Sequence, residues 1–415
     1  TLTNGTGLAS NYMMPAFSYE AGTNSVSITR KSLTASASKS YDGTTSLAGD
    51  VTLAGMLGGD TLNYTGAASN NSHVATSNKY ISALTLTNGT GLASNYAPPA
   101  FNYNAANNNV SITTATLTPA LTNTGVTKTY DGIVSAPGGF TPTWSYGGLV
   151  SGDTAASVAY TGAVYDNANV GTASKVTVSG ISLTAITGSN GSALTDYALN
   201  ATSKDVSASI TAKPVTASAS KSYDGTTSLA GDVTLAGMLG GDTLNYTGAA
   251  SNNSHVATSN KYISALTLTN GTGLASNYAP PAFNYNAANN NVSITTATLT
   301  PALTNTGVTK TYDGIVSAPG GFTPTWSYGG LVSGDTAASV AYTGAVYDNA
   351  NVGTASKVTV SGISLTAITG SKSSAVTDYA LSASSKDVSA SISKTTLTVR
   401  ANNNAKFVLA VDPAF

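Results

Sequence analysis

Seventeen aspartates, one glutamate (Glu20), two histidines and no cysteine are all that the chain offers for acid–base, nucleophilic or metal chemistry. Eight of the aspartates recur at two places: Asp42, Asp131, Asp224 and Asp313 stand between a tyrosine and a glycine, and Asp60, Asp153, Asp242 and Asp335 follow a glycine. Carboxylates are hard oxygen ligands, so the pairs Asp42 with Asp60 and Asp131 with Asp153, and their repeats, are candidate calcium ligands that would stiffen a junction between modules. The dense aspartate runs of familiar calcium loops are missing, and a structural reading competes. In it Gly43 takes the positive φ of a tight turn, Asp42 bonds the turn's amides, and Tyr41 buries its ring and gives its hydroxyl a backbone partner. The same reading covers Tyr130 with Gly132, Tyr223 with Gly225 and Tyr312 with Gly314. Calcium aside, no cofactor is expected.

His73 and His255 are the only histidines and occupy one repeated position. A catalytic triad or a zinc site needs several different groups converging on one point, and half of the repeats have no histidine, so an enzyme is not expected. Lys39 and its equivalents could join an Asn or Asp in an isopeptide bond only if desolvated beside a buried acid. The default expectation is a solvated lysine at a strand start. Trp144 and Trp326, the only tryptophans, sit inside Phe140-Thr-Pro-Thr-Trp-Ser-Tyr146 and its repeat. A core role is expected for them, with an exposed platform for sugar as the alternative. Asn-x-Ser/Thr sequons at Asn70, Asn88, Asn109 and Asn200 are common by chance in a chain so rich in these residues.

The elements that must position these residues follow from repetition. Thr34–Ser189 reappears residue for residue as Thr216–Ser371, an offset of 182. Inside that unit lies a more diverged duplication, K-x-Y-D-G at Lys39, Lys128, Lys221 and Lys310, which spaces the tyrosines by 89, 93 and 89 residues. Two module types therefore alternate. Both continue with Gly-Asp, Tyr-Thr-Gly-Ala (Tyr64–Ala67, Tyr160–Ala163), V-x-T-x-x-K (Val74–Lys79, Val170–Lys175) and a late tyrosine (Tyr96, Tyr197) expected to act as a corner tyrosine bonding back to a loop. The boundaries read 1–30 for the last part of an A-type module, 31–116 for A1, 117–212 for B1, 213–298 for A2, 299–393 for B2, and 394–415 for the opening of a further module.

Charged residues make up 8% of the chain, against roughly 25% in ordinary domains, and the net charge is −1. No basic stripe for nucleic acid exists, and no apolar run long enough for a membrane helix. Without cysteine the modules must hold by packing alone. Lys175–Leu183 alternates apolar and polar with a period of two, and clusters of Gly, Asn, Asp and Ser interrupt the chain every 8 to 12 residues or so. About 90 residues with this pattern predicts an all-β fold, a series of immunoglobulin-like sandwiches of short antiparallel strands arranged as an extended rod.

Lys-x-Tyr-Asp-Gly-Thr-Thr, the Gly-Asp, the V-x-T-x-x-K segment and the late Asn-Tyr together resemble the YDG domain, found as tandem stalk modules in large, filamentous-haemagglutinin-like bacterial surface adhesins. B modules fit best, through Asn169-Val-Gly-Thr172 and Gly180-Ile-Ser-Leu183. A modules depart at His73-Val-Ala-Thr76 and Pro98-Pro99. Leu397–Phe415 is similar to the start of an MBG-type module, without its usual Tyr-Gly. The resemblance implies a secreted, cell-surface protein whose partners are its own neighbouring modules, other copies of itself or surface glycans, with no nucleic acid and no membrane insertion. It implies a stalk that projects an adhesive part. Two alternatives stand beside it: a fibre subunit whose partial ends complete each other by strand complementation, and a repeated carbohydrate-binding module.

Overall fold

A computed structural model describes residues 1–14, 17, 26–401 and 407–411. The chain is all-β and forms two compact units, Thr1–Lys128 with Ile133–Ile210, and Thr129–Gly132 with Thr211–Phe415. Each unit holds one A and one B module. Glu20 and parts of the two partial ends on which strand complementation would act, residues 15–16, 18–25, 402–406 and 412–415, lie outside the described residues. Among the described residues no helix is long and apolar enough to cross a membrane.

In the A module of the first unit the strands are β1 (Lys31–Ser32), β2 (Thr34–Ser40), β3 (Val51–Ala54), β4 (Leu62–Ser69), β5 (Ile81–Asn88), β6 (Tyr96–Ala97) and β7 (Asn108–Thr113). Strand β2 is Thr-Ala-Ser-Ala-Ser-Lys-Ser, and its alternation sends Ala35, Ala37 and Lys39 inward and the serines out. It pairs antiparallel with β3 and parallel with β7, where Ala37 faces Val110 and Lys39 faces Ile112. The hairpin β4–β5 lies opposite. Leu47 and Ile81 are fully buried between the layers, and each such side chain contributes roughly 2–3 kcal/mol.

The B module follows one residue later with β8 (Ala115–Leu121), β9 (Val126–Thr129), β10 (Trp144–Gly147), β11 (Asp153–Ala159), β12 (Gly162–Tyr165), β13 (Lys175–Ser179), β14 (Ser182–Gly188), β15 (Tyr197–Leu199) and β16 (Ser203–Thr211). Its opening strand is split. Strand β8 joins β10 and β15, whereas β9 joins the sheet β12-β13-β16-β9. The β11–β14 hairpin is split likewise. Lys175–Leu183 is therefore not one strand. It breaks at Gly180, which has φ 67 and where a Cβ would lie 2.0 Å from the Thr161 hydroxyl oxygen. Only glycine fits that bend.

Pairing is not purely antiparallel as the turn spacing predicted. An early strand of each module lies beside a late one, parallel, in β2–β7 and β8–β15. A parallel neighbour needs a long connection, and here the connection is nearly the whole module. The split of the B module decides how the unit packs. Its half with β9, β12, β13 and β16 buries Val176 and Val178 completely. Its other half contributes Ala115, Leu117 and Tyr197 to the same buried cluster as Ala35, Leu47, Ile81 and Ile112 of the A module. One core thus runs through both modules of the unit, and the second unit repeats it with Leu229, Ile263, Leu299 and Tyr379.

Candidate functional site

The Tyr-Asp-Gly turn begins where β2 leaves the sheet. Asp42 Oδ1 accepts the Thr44 amide at 2.9 Å, and Gly43 takes φ 78, as the turn requires. Lys39 corrects the expectation of a solvated lysine. Its side chain is 5% exposed, and Nζ donates to Asp42 Oδ1 at 2.7 Å and to the carbonyls of Thr44 and Ser46 at 2.8 and 2.7 Å. An ammonium has three protons, and these three acceptors take them all. Burial alone would raise the Asp42 carboxyl, but the bonds from Lys39 and Thr44 outweigh it and hold Asp42 below the ordinary carboxylate range. Lys221 with Asp224, and Lys310 with Asp313, repeat the arrangement at 2.7 and 2.8 Å.

Tyr41 is buried, yet its hydroxyl does not turn back to the backbone of its own module. It lies 2.6 Å from Ser192 Oγ, in the B module. Ser192 in turn donates to Asp153 Oδ2 at 2.6 Å, so its single proton is committed and Tyr41 must be the donor to Ser192. Tyr197 Oη also donates to Asp153 Oδ2 at 2.6 Å and accepts the Val150 amide at 2.9 Å. Burial, then the bond to a carboxylate, pushes the Tyr197 hydroxyl up to about 12. The rings of Tyr41 and Tyr197 meet edge to face, centroids 5.7 Å apart. Oδ1 of Asp153 is buried without a hydrogen bond and faces Gly188, where a Cβ would stand 2.7 Å away.

A second acid closes the junction. Asp196, fully buried, accepts the Val74 amide of the A module and the Ala193 amide of the B module, each at 2.8 Å, and lies 2.7 Å from His73 Nδ1. Burial raises its carboxyl, and the bonds from His73, Val74 and Ala193 overcome that and leave it below the ordinary range. The short 3₁₀ turn Leu194–Asp196, which ends at Tyr197, places Asp196 and Tyr197 side by side. In the second unit Tyr223, Ser374, Asp335 and Tyr379 reproduce the first network, and His255, Val256 and Asp378 the second, at the same distances.

Every module also pairs its late tyrosine with the aspartate of its Gly-Asp: Tyr96 with Asp60 at 2.6 Å, Tyr197 with Asp153, Tyr278 with Asp242, Tyr379 with Asp335. The late tyrosines are thus corner tyrosines, each also accepting a loop amide, such as Leu57 N on Tyr96 at 3.1 Å. The residues proposed as calcium pairs thus have different partners. Asp42, Asp224 and Asp313 are held by lysines at the turns, whereas Asp60, Asp153, Asp242 and Asp335 are held by tyrosines; Asp131 stands at the equivalent turn. Among the described residues no group of three or more His, Asp or Glu gathers into a candidate metal cluster.

Trp144 and Trp326 stand at the start of their strands and are half-buried, neither fully in the core nor fully exposed. Sequence reasoning passed over Ser192 and Asp196, although a signal was present. Residues 190–202 and 372–384 differ at 190, 191, 194, 200 and 202, yet Ser192, Asp196 and Tyr197 stand unchanged as Ser374, Asp378 and Tyr379.

The family model of the YDG domain matches residues 27–106, 113–204, 206–288 and 295–387. The match stops short of the tail that resembles an MBG-type module. No curated protein matches the chain.

Proposed function

The chain belongs to the YDG-domain family, four domains in tandem, and from that premise we propose that it is the passive stalk of a secreted bacterial surface adhesin. In this reading it projects an adhesive part, supports attachment to surfaces or other cells, and performs no chemistry itself. The observation that carries the proposal is the repetition of one junction. Identical networks tie A to B in both units, and the titratable groups in them are held by partners within the protein, with one oxygen each of Asp153 and Asp335 left over. A joint built that way spends its polar groups on rigidity, and a repeated array of such joints suits length and stiffness. Buried networks in which most members are satisfied rigidify what they join.

Small-angle X-ray scattering of the whole chain tests the reading. Four modules of roughly 35 Å in line would span about 140 Å, with a radius of gyration of about 40 Å, against about 22 Å for a compact protein of this length. A value near the compact limit would refute the stalk. A carbohydrate-binding role is a second reading, favoured by the half-exposed Trp144 and Trp326. It requires glycan binding that Trp144→Ala and Trp326→Ala together abolish, and an array that retains no glycan contradicts it.

A further inference from the structure

Four Asn-Gly pairs occur in the chain, at Asn4, Asn88, Asn190 and Asn270. In such a pair the backbone nitrogen of the glycine, with no side chain to shield it, can attack the carboxamide carbon of the asparagine, so the sequence is thermolabile wherever the fold leaves it free. Three of the four are tied down. They share the sequence Asn-Gly-Thr-Gly-Leu-Ala-Ser-Asn, and each asparagine uses its Oδ1 to accept the amide five residues on: Ala9 on Asn4 at 2.6 Å, Ala93 on Asn88 and Ala275 on Asn270 at 2.8 Å. Asn88 and Asn270 are also paired in strands, opposite Leu62 and Leu244. Their glycines press so close to Thr61 and Thr243 that a Cβ would lie 2.4 Å from each carbonyl oxygen.

Asn190 has none of these restraints. It stands in the loop between β14 and the Leu194–Asp196 turn, and among the described residues neither its Oδ1 nor the Gly191 amide has a hydrogen-bond partner. Gly191 takes φ 65, and a Cβ there would meet nothing within 4 Å, so the backbone has room to bend toward the side chain. The carboxamide nevertheless holds a particular place. Nδ2 donates to the Ser151 carbonyl at 2.8 Å, and the group fills space that a Cβ would need on Gly43, 2.7 Å from Nδ2, or on Gly152, 2.5 Å from Oδ1. It is wedged between the Tyr-Asp-Gly turn of the A module, with Asp42, and the Gly-Asp of the B module, with Asp153. In the second unit Lys372 lies over Gly225 and Gly334 in the same way, and Ser373 keeps the left-handed backbone at φ 57. One junction therefore carries the labile pair and its duplicate does not.

We propose that Asn190 is a site of spontaneous deamidation, and that the reaction ages the A–B junction of the first unit while sparing that of the second. The Gly191 nitrogen attacks Asn190 Cγ and forms a new C–N bond; the bond from Cγ to Nδ2 breaks, and Nδ2 leaves as ammonia with the proton given up by Gly191. Water then opens the cyclic imide at either carbonyl, giving aspartate or isoaspartate. Water is the only co-reactant. Either product replaces the donor that faces the Ser151 carbonyl with a carboxylate, and sets a negative charge between two turns that already carry Asp42 and Asp153. Isoaspartate also inserts a methylene into the backbone two residues before Ser192, which joins Tyr41 to Asp153. The inference concerns the lifetime of the junction and holds whether or not the chain is a stalk.

Incubating the full chain in warm, mildly alkaline water enriched in heavy oxygen, followed by peptide mass mapping, reads the reaction, since each imide that opens takes up the label. Asn190 should convert at least about tenfold faster than Asn88 and Asn270, which must give up both a cap and a strand pairing first. The aged chain should begin to unfold in urea at a concentration about 0.5 M lower than the fresh one, the loss of one hydrogen bond. Asn190→Lys gives the first unit the residue that the second already carries, so it should fold as wild type does, take up no label at that position and lose nothing on ageing. Conversion at Asn190 no faster than at Asn88 overturns the proposal. So does an Asn190→Lys chain that weakens at the wild-type rate, and so does a fully converted chain whose unfolding is unchanged.

Discussion

Replacing Asp196 by alanine strips three bonds from one fully buried carboxylate, two of them from backbone amides on opposite sides of the A–B junction. The Val74 and Ala193 amides then have no acceptor. Each orphaned buried donor costs about 1–3 kcal/mol, and His73 loses its partner as well, so the loss is about 4 kcal/mol. Because the A core continues through Ala115, Leu117 and Tyr197, that loss falls on the whole unit rather than on a loop. Urea unfolding of the chain carrying Asp196→Ala and Asp378→Ala should show a midpoint lower by about 2 M, at an m-value of about 2 kcal/mol/M. Amide exchange at Val74 should rise first, since its bond crosses the junction. A midpoint within about 0.3 M of wild type, equivalent to about 0.6 kcal/mol, would refute the reasoning that Asp196 fastens the two modules together.

Tyr41→Phe with Tyr223→Phe removes one inter-module hydrogen bond per unit and should cost about 1 kcal/mol each in chemical denaturation. Acid should loosen the first unit through Asp196: its folded carboxyl lies below the ordinary value, so its stabilisation is complete above about pH 4 and is lost as pH falls through the folded value, a loss that a pH series of melting curves would show below pH 4 and not between 7 and 5. Lys39→Met leaves the Thr44 and Ser46 carbonyls and Asp42 without their donor and should destabilise by about 2–3 kcal/mol in urea unfolding, where a solvated lysine would cost nothing. Calcium against chelator should leave the melting midpoint within about 1 °C, because a ligand that does not bind the folded state cannot shift it; a clear rise with calcium would return the aspartates to the role of ligands.

Much of this architecture is legible in the sequence because repetition and period-two alternation are local signals. The β-strand at Thr34–Ser40 and the corner role of Tyr96 and Tyr197 follow from such patterns. Parallel pairing of early and late strands does not, since alternation along Ala35, Ala37 and Lys39 says which face is buried and nothing about which strand lies alongside. Gly180 carried a clue to the break in Lys175–Leu183, but a glycine inside alternation is also compatible with a continuous strand. The junction was the least accessible part. Tyr41 and Ser192 are 151 residues apart, and only the fold brings a turn of one module to a turn of the next. Lys39 was misread for a related reason: the carbonyls of Thr44 and Ser46 that desolvate it are backbone groups, which no side-chain motif records.

Mechanical unfolding of single chains tests most directly whether the A–B pair, rather than the module, is the unit that unfolds. A shared core and the Asp153 and Asp196 networks predict that A and B of a unit yield together. Each force peak should then release about 182 residues, a contour increment of about 60 nm, and two such peaks should appear per chain. Four independent peaks of about 30 nm, one per module, would contradict the account.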